Sequence, residues 1–235
     1  MKTILKIIAS TLLLSIPMLC APLSVTVGSF DSGNCYPFMC NDSGTNVGLS
    51  IDYQEAYNPA RFPGAIDISS ISWEFWPSSG SATVLGGNYS FWYGYSAVGL
   101  GLGTNLAANY NGAPVFLGTT SIPAGGFNYG TTLTLTLSTP FTYNPTNGPL
   151  ILEIVVDTQD IVPNGTGNGY NWADYIGTDA TRAWCVTGSG CIAPDLGALV
   201  TTFNGLPAVP EPGTLVMFGS GLIGLAGVAH RKLMR

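Results

Sequence analysis

The stretch Thr131–Leu137, which reads TTLTLTL, decides the fold class because its polar and apolar residues alternate with a period of two. This period places every second side chain on one face of a β-strand, so Leu133, Leu135 and Leu137 are predicted to face a core. So strict an alternation requires one buried face, which argues against the competing interpretation of an open, disordered matrix chain.

Strand patterns continue on both sides of this stretch. The connection Pro140–Pro149 is rich in turn-forming residues, and the β-branched apolar run Leu150–Asp157 follows it. We therefore predict that Thr131–Leu137 and Leu150–Asp157 are two antiparallel strands joined by that connection. The other predicted strands are Val47–Tyr53, Ile66–Trp76, Ala82–Leu85, Tyr89–Tyr95, Val115–Thr120, Ala183–Thr187 and Ala198–Phe203.

The composition agrees with an all-β fold. Charged residues make up 9% of the chain, and 31 glycines and 16 prolines disfavour helices and favour turns. Because 46% of the residues are hydrophobic, the chain can bury a core. With no helical period and about nine strands, the sequence predicts an all-β chain with an antiparallel β-sandwich, jelly-roll-like, as its body.

The charge distribution excludes several classes of function. Between residues 22 and 210 there are two basic and 12 acidic residues, a formal charge of −10. Such a body repels phosphate backbones, so we expect no binding of nucleic acid. The single histidine, His230, lies outside this span, which removes Ser-His-Asp and Cys-His nucleophiles and histidine-ligated zinc from the body.

The N-terminal residues have the pattern of an export signal. Lys2 and Lys6 precede the uncharged apolar run Ile7–Leu19, which at 13 residues spans only ~20 Å as a helix. We therefore predict a signal peptide at residues 1–22. A lipoprotein signal at Cys20 is the alternative, but Leu19 is bulky where such a signal needs a small residue.

The C-terminal residues have three parts. The first is the block Val209, Pro210, Glu211 and Pro212, in which the two prolines hold Glu211 on an extended, non-helical strip. An uncharged segment follows, and we predict a single transmembrane helix at residues 214–229. The basic tail at residues 230–235 contains Arg231, Lys232 and Arg235, which are expected to hold this end in the cytoplasm.

This tripartite end resembles the PEP-CTERM sorting signal of Gram-negative bacteria, over Val209–Arg235. The resemblance implies recognition of Pro210, Glu211 and Pro212 by exosortase, a membrane-embedded cysteine peptidase. The same segment is known as an ice-binding protein C-terminal domain, a label that is no evidence for ice binding. A plain membrane anchor is the alternative. The predicted organisation is a signal peptide at 1–22, a body at 23–206 and a sorting signal at 207–235, with its motif at 209–212.

The body resembles a recurring ectodomain type that precedes such tails. The likeness rests on Phe62–Gly64, on Leu137–Pro145 and on Gly148–Ile154. This ectodomain type implies no particular activity.

Four cysteines follow the signal, and outside the cytoplasm they are expected to oxidise. They are Cys35, Cys40, Cys185 and Cys191. Of the three possible pairings, the short spacings favour Cys35–Cys40 and Cys185–Cys191. A four-cysteine zinc site has similar clustering, but it requires a reducing compartment.

The segment Asp157–Gly169 is rich in oxygen ligands and glycine. Asp157 and Asp160 are weak candidates for Ca²⁺ ligands, with Asp174 and Asp179 nearby, but runs of Asn and Gly also form ordinary turns. We expect no cofactor, and calcium is the alternative.

Aromatic and acidic residues offer the remaining candidate chemistry. Rings on both faces of Tyr89–Tyr95 suggest either a core face with loop packing or, on one face, stacking on sugars. A glycosidase needs a pair of carboxylates, and Glu74 and Glu153 are the glutamates on predicted strands, but nothing in the sequence places them together. Glu153 and Asp157 lie too far apart along one strand to form a pair.

The sequence therefore predicts an exported, non-catalytic protein of the cell surface or extracellular matrix. Its expected partners are an exosortase-type peptidase, the membrane through the C-terminal helix before processing, and extracellular polysaccharide of a biofilm. A carbohydrate-binding module is the first alternative, and a glycoside hydrolase is the second.

Overall fold

The computed structural model describes residues 21–38, 50–75, 86–122, 132–159, 171–208 and 221. In these residues the chain forms 13 strands and three short 3-10 helices, the latter at Pro59–Arg61, Leu106–Asn109 and Pro145–Asn147. The strands are β1 (Leu23–Val27), β2 (Ser32–Asn34), β3 (Ile51–Tyr57), β4 (Ile66–Glu74), β5 (Gly87–Tyr95), β6 (Val115–Ile122), β7 (Thr132–Tyr143), β8 (Leu150–Gln159), β9 (Asn171–Asp174), β10 (Ala180–Val186), β11 (Gly190–Asp195), β12 (Ala198–Leu199) and β13 (Thr201–Pro207).

The strands form three sheets in which every pairing is antiparallel. The four-stranded sheet has the order β1-β13-β4-β7, and the six-stranded sheet has the order β11-β10-β3-β8-β5-β6. A smaller sheet has the order β12-β9-β2. Without β10 and β11, the two larger sheets have four strands each, and the chain crosses between them in the double Greek-key connectivity of a jelly roll. The predicted all-β, antiparallel sandwich is thus confirmed.

The core lies between the two larger sheets. Leu133, Leu135 and Leu137 on β7 are buried, as the alternation predicts, while the threonines between them are exposed. Aromatic side chains contact each other across the two layers. Trp73 stacks on Phe91 with ring centroids 6.2 Å apart, and Phe141 stacks on Tyr93 at 4.0 Å. Burial of these large side chains supplies most of the driving force for folding.

The predicted pairing of Thr131–Leu137 with Leu150–Asp157 is wrong. β7 pairs with β4 and β8 pairs with β3 and β5, so the two strands belong to different sheets. The connection between them contains a 3-10 turn at Pro145–Asn147 and then Gly148 with a φ of 116°. This connection crosses from one layer of the sandwich to the other. Each of the two layers thereby contributes one of these apolar strands to the core.

Most other predicted strands occur with shifted ends, and some strands were missed. The predicted strand Ala82–Leu85 lies outside the described residues. β1, β2, β9 and β11 were not predicted, since each is short or lacks an apolar run. Ala198–Phe203 is divided at Val200 between β12 and β13.

A buried glutamate joins strands of all three sheets. Glu55 on β3 is fully buried, and its carboxylate accepts hydrogen bonds from the hydroxyls of Tyr53 (2.6 Å) and Tyr57 and from the backbone N–H of Leu199 on β12. The Tyr57 hydroxyl also lies 2.9 Å from Oγ1 of Thr201 on β13. Burial raises the pKa of Glu55, and these hydrogen bonds oppose that rise. The glutamate thus fixes the junction of the sheets.

The predicted signal peptide lies outside the described residues, except for residues 21 and 22. The predicted transmembrane helix also lies outside them, except for residue 221. No helix among the described residues is both long and apolar enough to span a membrane.

Candidate functional site

Four side chains form a row across the outer face of the six-stranded sheet, which points away from the core. Paired positions in neighbouring strands place them in the order Gln54, Glu153, Trp92 and Phe116, from β3 to β6. Strands are spaced ~4.8 Å apart, so the row spans ~14 Å. The row brings an acidic and an aromatic group side by side.

A long connection covers one end of this face. It runs from residue 96 to residue 114 between β5 and β6, and its Tyr110 hydroxyl donates a hydrogen bond to Oε2 of Glu153 at 2.7 Å. Gly94 makes this possible, because a Cβ at this position would lie 2.7 Å from the Tyr110 ring. Gln54 donates to Oε1 of Glu153 at 3.1 Å and accepts from Asn109 at 2.9 Å. Glu153 is thereby held in one orientation.

Asp52 and Glu153 form an acid pair on this face. Asp52 lies two residues before Gln54 on β3 and therefore on the same face as Glu153, and the charge of Glu153 acts on its carboxyl group. Burial, followed by the nearby charge of Glu153, raises the pKa of Asp52 to about 7. Near neutral pH the carboxyl group of Asp52 is therefore about half protonated.

Trp92 and Phe116 form an aromatic platform next to the acid pair. Their ring centroids lie 5.2 Å apart with an interplanar angle of 52°. Phe116 is 55% exposed, and its neighbour Val115 is 49% exposed. An exposed aromatic surface beside polar groups is a common composition for a binding site.

The sequence anticipated only part of this site. Of the aromatic residues in Tyr89–Tyr95, Tyr89 and Phe91 are buried in the core, and Tyr93 and Tyr95 pack against it. Trp92 points to the outer face. The proposed sugar-stacking surface is thus reduced to Trp92, and sequence analysis missed Phe116 as its partner.

The carboxylate pair considered for a glycosidase is not assembled. Glu74 is exposed on β4 of the four-stranded sheet, whereas Glu153 lies on the outer face of the six-stranded sheet. The core separates the two side chains. The neighbour of Glu153 is Asp52, which the sequence did not single out, since no pattern places β3 beside β8.

The calcium candidates are not brought together among the described residues. Asp160 and the side chain of Asp157 lie outside that part of the chain. Oδ1 of Asp174 accepts a hydrogen bond from the backbone N–H of Ile176 at 2.8 Å, and Asp179 forms an ion pair with Arg61. In the described ranges, no group of three or more His, Cys, Asp or Glu residues could hold a metal ion.

One predicted disulfide is confirmed. Cys185 and Cys191 are bonded, and they occupy directly opposed positions on β10 and β11. Cys35 is also disulfide-bonded, but its predicted partner Cys40 lies outside the described residues. These bonds agree with an oxidising compartment.

The two ends of the described body lie close together. Leu23 at the start of β1 pairs with Gly205 near the end of β13. The backbone N–H of Ala208 donates to the carbonyl of Ala65 at 2.8 Å, which fixes the chain just before residue 209. The predicted sorting residues Val209, Pro210, Glu211 and Pro212, and the basic residues Arg231, Lys232 and Arg235, lie outside the described residues.

Comparisons with known proteins identify the C-terminal segment. No curated protein matches the chain. A solved structure of the cysteine protease and lectin-like domains of Cwp84, a surface layer associated protein of Clostridium difficile, aligns at 10% identity and a TM-score of 0.35. That alignment covers 68% of this chain and 32% of the other. Residues 208–232 match the PEP-CTERM protein-sorting motif. The C-terminal segment of this chain is therefore a PEP-CTERM sorting motif, and this motif implies an exosortase as the processing partner.

Proposed function

We propose that this protein is an exported, non-catalytic component of the cell surface or extracellular matrix that associates with extracellular polysaccharide. The observation that carries the proposal is the sorting motif at residues 208–232. In this proposal the C-terminal helix holds the precursor in the inner membrane, with the body outside it. Exosortase then cuts near Pro210–Pro212 and passes the body onward.

The geometry of the body supports this route. Because Leu23 pairs with Gly205, the start of β1 and the end of β13 lie side by side. The predicted signal peptide and the sorting segment therefore join the body at the same end of this strand pair. A precursor can therefore be held by both segments in one membrane without unfolding β1 or β13. The aromatic platform lies on the other layer of the sandwich.

The placement of Glu74 and Glu153 supports binding rather than hydrolysis. Glycosidase carboxylates stand roughly 5–10 Å apart, with the sugar or a water between them. Glu74 and Glu153, the glutamates on predicted strands, lie instead on different sheets with the core between them.

The sorting step is tested by changing Pro210, Glu211 and Pro212 to alanine in a host that has exosortase. We expect an unprocessed precursor in the membrane fraction, whereas the unchanged chain is processed and its mature mass lacks Arg235. The unchanged chain in the same host without exosortase is the control, and it should also remain unprocessed. Normal release of the alanine variant, or a mature mass that still includes Arg235, would refute the proposal.

Carbohydrate binding is the second candidate function, and the aromatic platform favours it. Aromatic ring faces stack on the C–H faces of sugars, and the carboxylates of the acid pair accept hydrogen bonds from hydroxyl groups. Polysaccharide pull-down of the full-length chain should lose most of its retention on Trp92→Ala. Absence of retention on any glycan would remove this candidate.

A further inference from the structure

We infer that the aromatic platform binds sugar units whose amino group is free and positively charged, with the acid pair as the counter-charge. This inference rests on the polysaccharide association proposed above and names the class of sugar. It follows from three features of the outer face. Phe116 is exposed beside the partly exposed Trp92, carboxylates lie next to these rings, and no protein cation among the described residues neutralises their charge.

The charge beside the platform has no basic partner among the described residues. Both arginines in these residues bind other carboxylates: Arg61 binds Asp179, and Arg182 binds Asp195. The sequence has no lysine between residues 22 and 210. Among the described residues, no basic side chain competes with a ligand's ammonium group for Glu153.

The acid pair has hydrogen-bond acceptor positions that no protein donor fills. Glu153 receives one hydrogen bond on each oxygen, from Gln54 and from Tyr110, and a carboxylate accepts up to about four. Oδ1 of Asp52 is buried and has no hydrogen-bond partner. A ligand with several N–H donors satisfies such a site better than a hydroxyl, which has a single donor.

The rings add a second reason for a cation. A positive group over the face of a tryptophan is attracted by the negative face of the ring. The same ring also stacks on the apolar face of a pyranose. A hexosamine with a free amine offers both features in one unit, whereas an N-acetylated hexosamine lacks the charge and a uronic acid has the opposite charge.

Two oligosaccharides with the same backbone isolate the amine. A glucosamine hexamer and an N-acetylglucosamine hexamer are titrated into the full-length chain in detergent, at pH 6 and low salt. We expect the amine form to bind about tenfold more tightly, a preference that Glu153→Gln removes and that high salt weakens. Trp92→Leu should weaken binding of both hexamers.

Glu74→Gln is the matched control, because it removes one exposed carboxylate from the other sheet. It should leave the tenfold preference unchanged, and thermal unfolding of Glu153→Gln and Trp92→Leu verifies that both variants fold. Equal binding of the two hexamers by the unchanged chain would overturn the inference. A lysine hexamer that binds as tightly as the glucosamine hexamer would overturn it too, since the site would then recognise charge without sugar.

These outcomes are separate from those of the proposed function. Sorting is measured by cell fractionation, and it does not depend on Glu153. If both hexamers bind equally and Trp92→Leu weakens them, the polysaccharide association stands while the preference for amino sugars fails.

Discussion

Replacing Asp52 with asparagine is predicted to flatten the pH dependence of the free energy of unfolding between pH 4 and pH 8. The pKa of Asp52 rises from 3.8 to about 7 in the folded protein. Between these values the folded chain keeps a proton that the unfolded chain releases. Stability from this group is therefore fully present below pH 4 and is lost as the pH rises through 7.

The size of the effect follows from the shift in pKa. A shift of about three units corresponds to about 4 kcal/mol for a fully buried group. Asp52 is partly exposed, so solvent screening reduces the expected loss to about 1–2 kcal/mol. The asparagine of the Asp52→Asn variant has no titrating proton.

Urea unfolding of the full-length chain in detergent, at half-unit steps from pH 4 to pH 8, measures this difference. The unchanged chain should lose about 1–2 kcal/mol more than Asp52→Asn over this range. Glu74→Gln is the control, and its curve should run parallel to that of the unchanged chain. Parallel curves for the unchanged chain and Asp52→Asn would refute the reasoning, because they would mean that Asp52 ionises alike in the folded and unfolded states.

Three further predictions concern the fold. Glu55→Ala should lower the free energy of unfolding by about 3 kcal/mol or more, because it leaves buried hydrogen-bond donors unpaired. Glu55→Gln should lower it less. A urea midpoint of Glu55→Ala equal to that of the unchanged chain would contradict this prediction. Leu135→Ala should lower the free energy of unfolding by about 2–5 kcal/mol and Thr136→Ala by less than about 1 kcal/mol, because only Leu135 is buried. Equal shifts of the two variants in thermal unfolding would show that the core-facing side of β7 is misassigned. Gly94→Ala should displace Tyr110 and speed proteolysis within residues 96–114. Gly64→Ala is the control, because Gly64 has open space around it, and it should not change the digestion. Identical digestion patterns of the two variants would rule out the contact between Gly94 and the Tyr110 ring.

The part of the fold that local periodicity encodes could be predicted from the sequence. The leucines of β7 alternate with threonines, and only one strand face satisfies that pattern. Local periodicity does not predict the faces of β3. This strand reads IDYQEAY, and its acidic residues Asp52 and Glu55 lie on different faces. Its inward Glu55 is tolerated because hydrogen-bond donors from other strands surround it, and those donors are distant in sequence.

The site could not be predicted for a related reason. Gln54 and Glu153 are 99 residues apart, and their contact exists only because β3 and β8 are neighbours in the sheet. Trp92 could be proposed from the sequence because one set of rings in Tyr89–Tyr95 had to face outward. Its partner Phe116 lies on β6, and only the pairing of β5 with β6 brings it near.

The charge pattern connects composition, fold and ligand. With 12 acidic and two basic residues between positions 22 and 210, the body carries a net negative field. Both basic residues are arginines held in ion pairs with aspartates, so the described part of the body has no free cation for the carboxylates of a uronic acid polymer. Association with an anionic polysaccharide would therefore work against this field at low salt. A neutral or cationic polymer meets no such barrier, and the acid pair beside Trp92 adds a local attraction only for the cationic one. The same scarcity of basic residues that excludes nucleic acid thus also restricts which polysaccharides the outer face can bind.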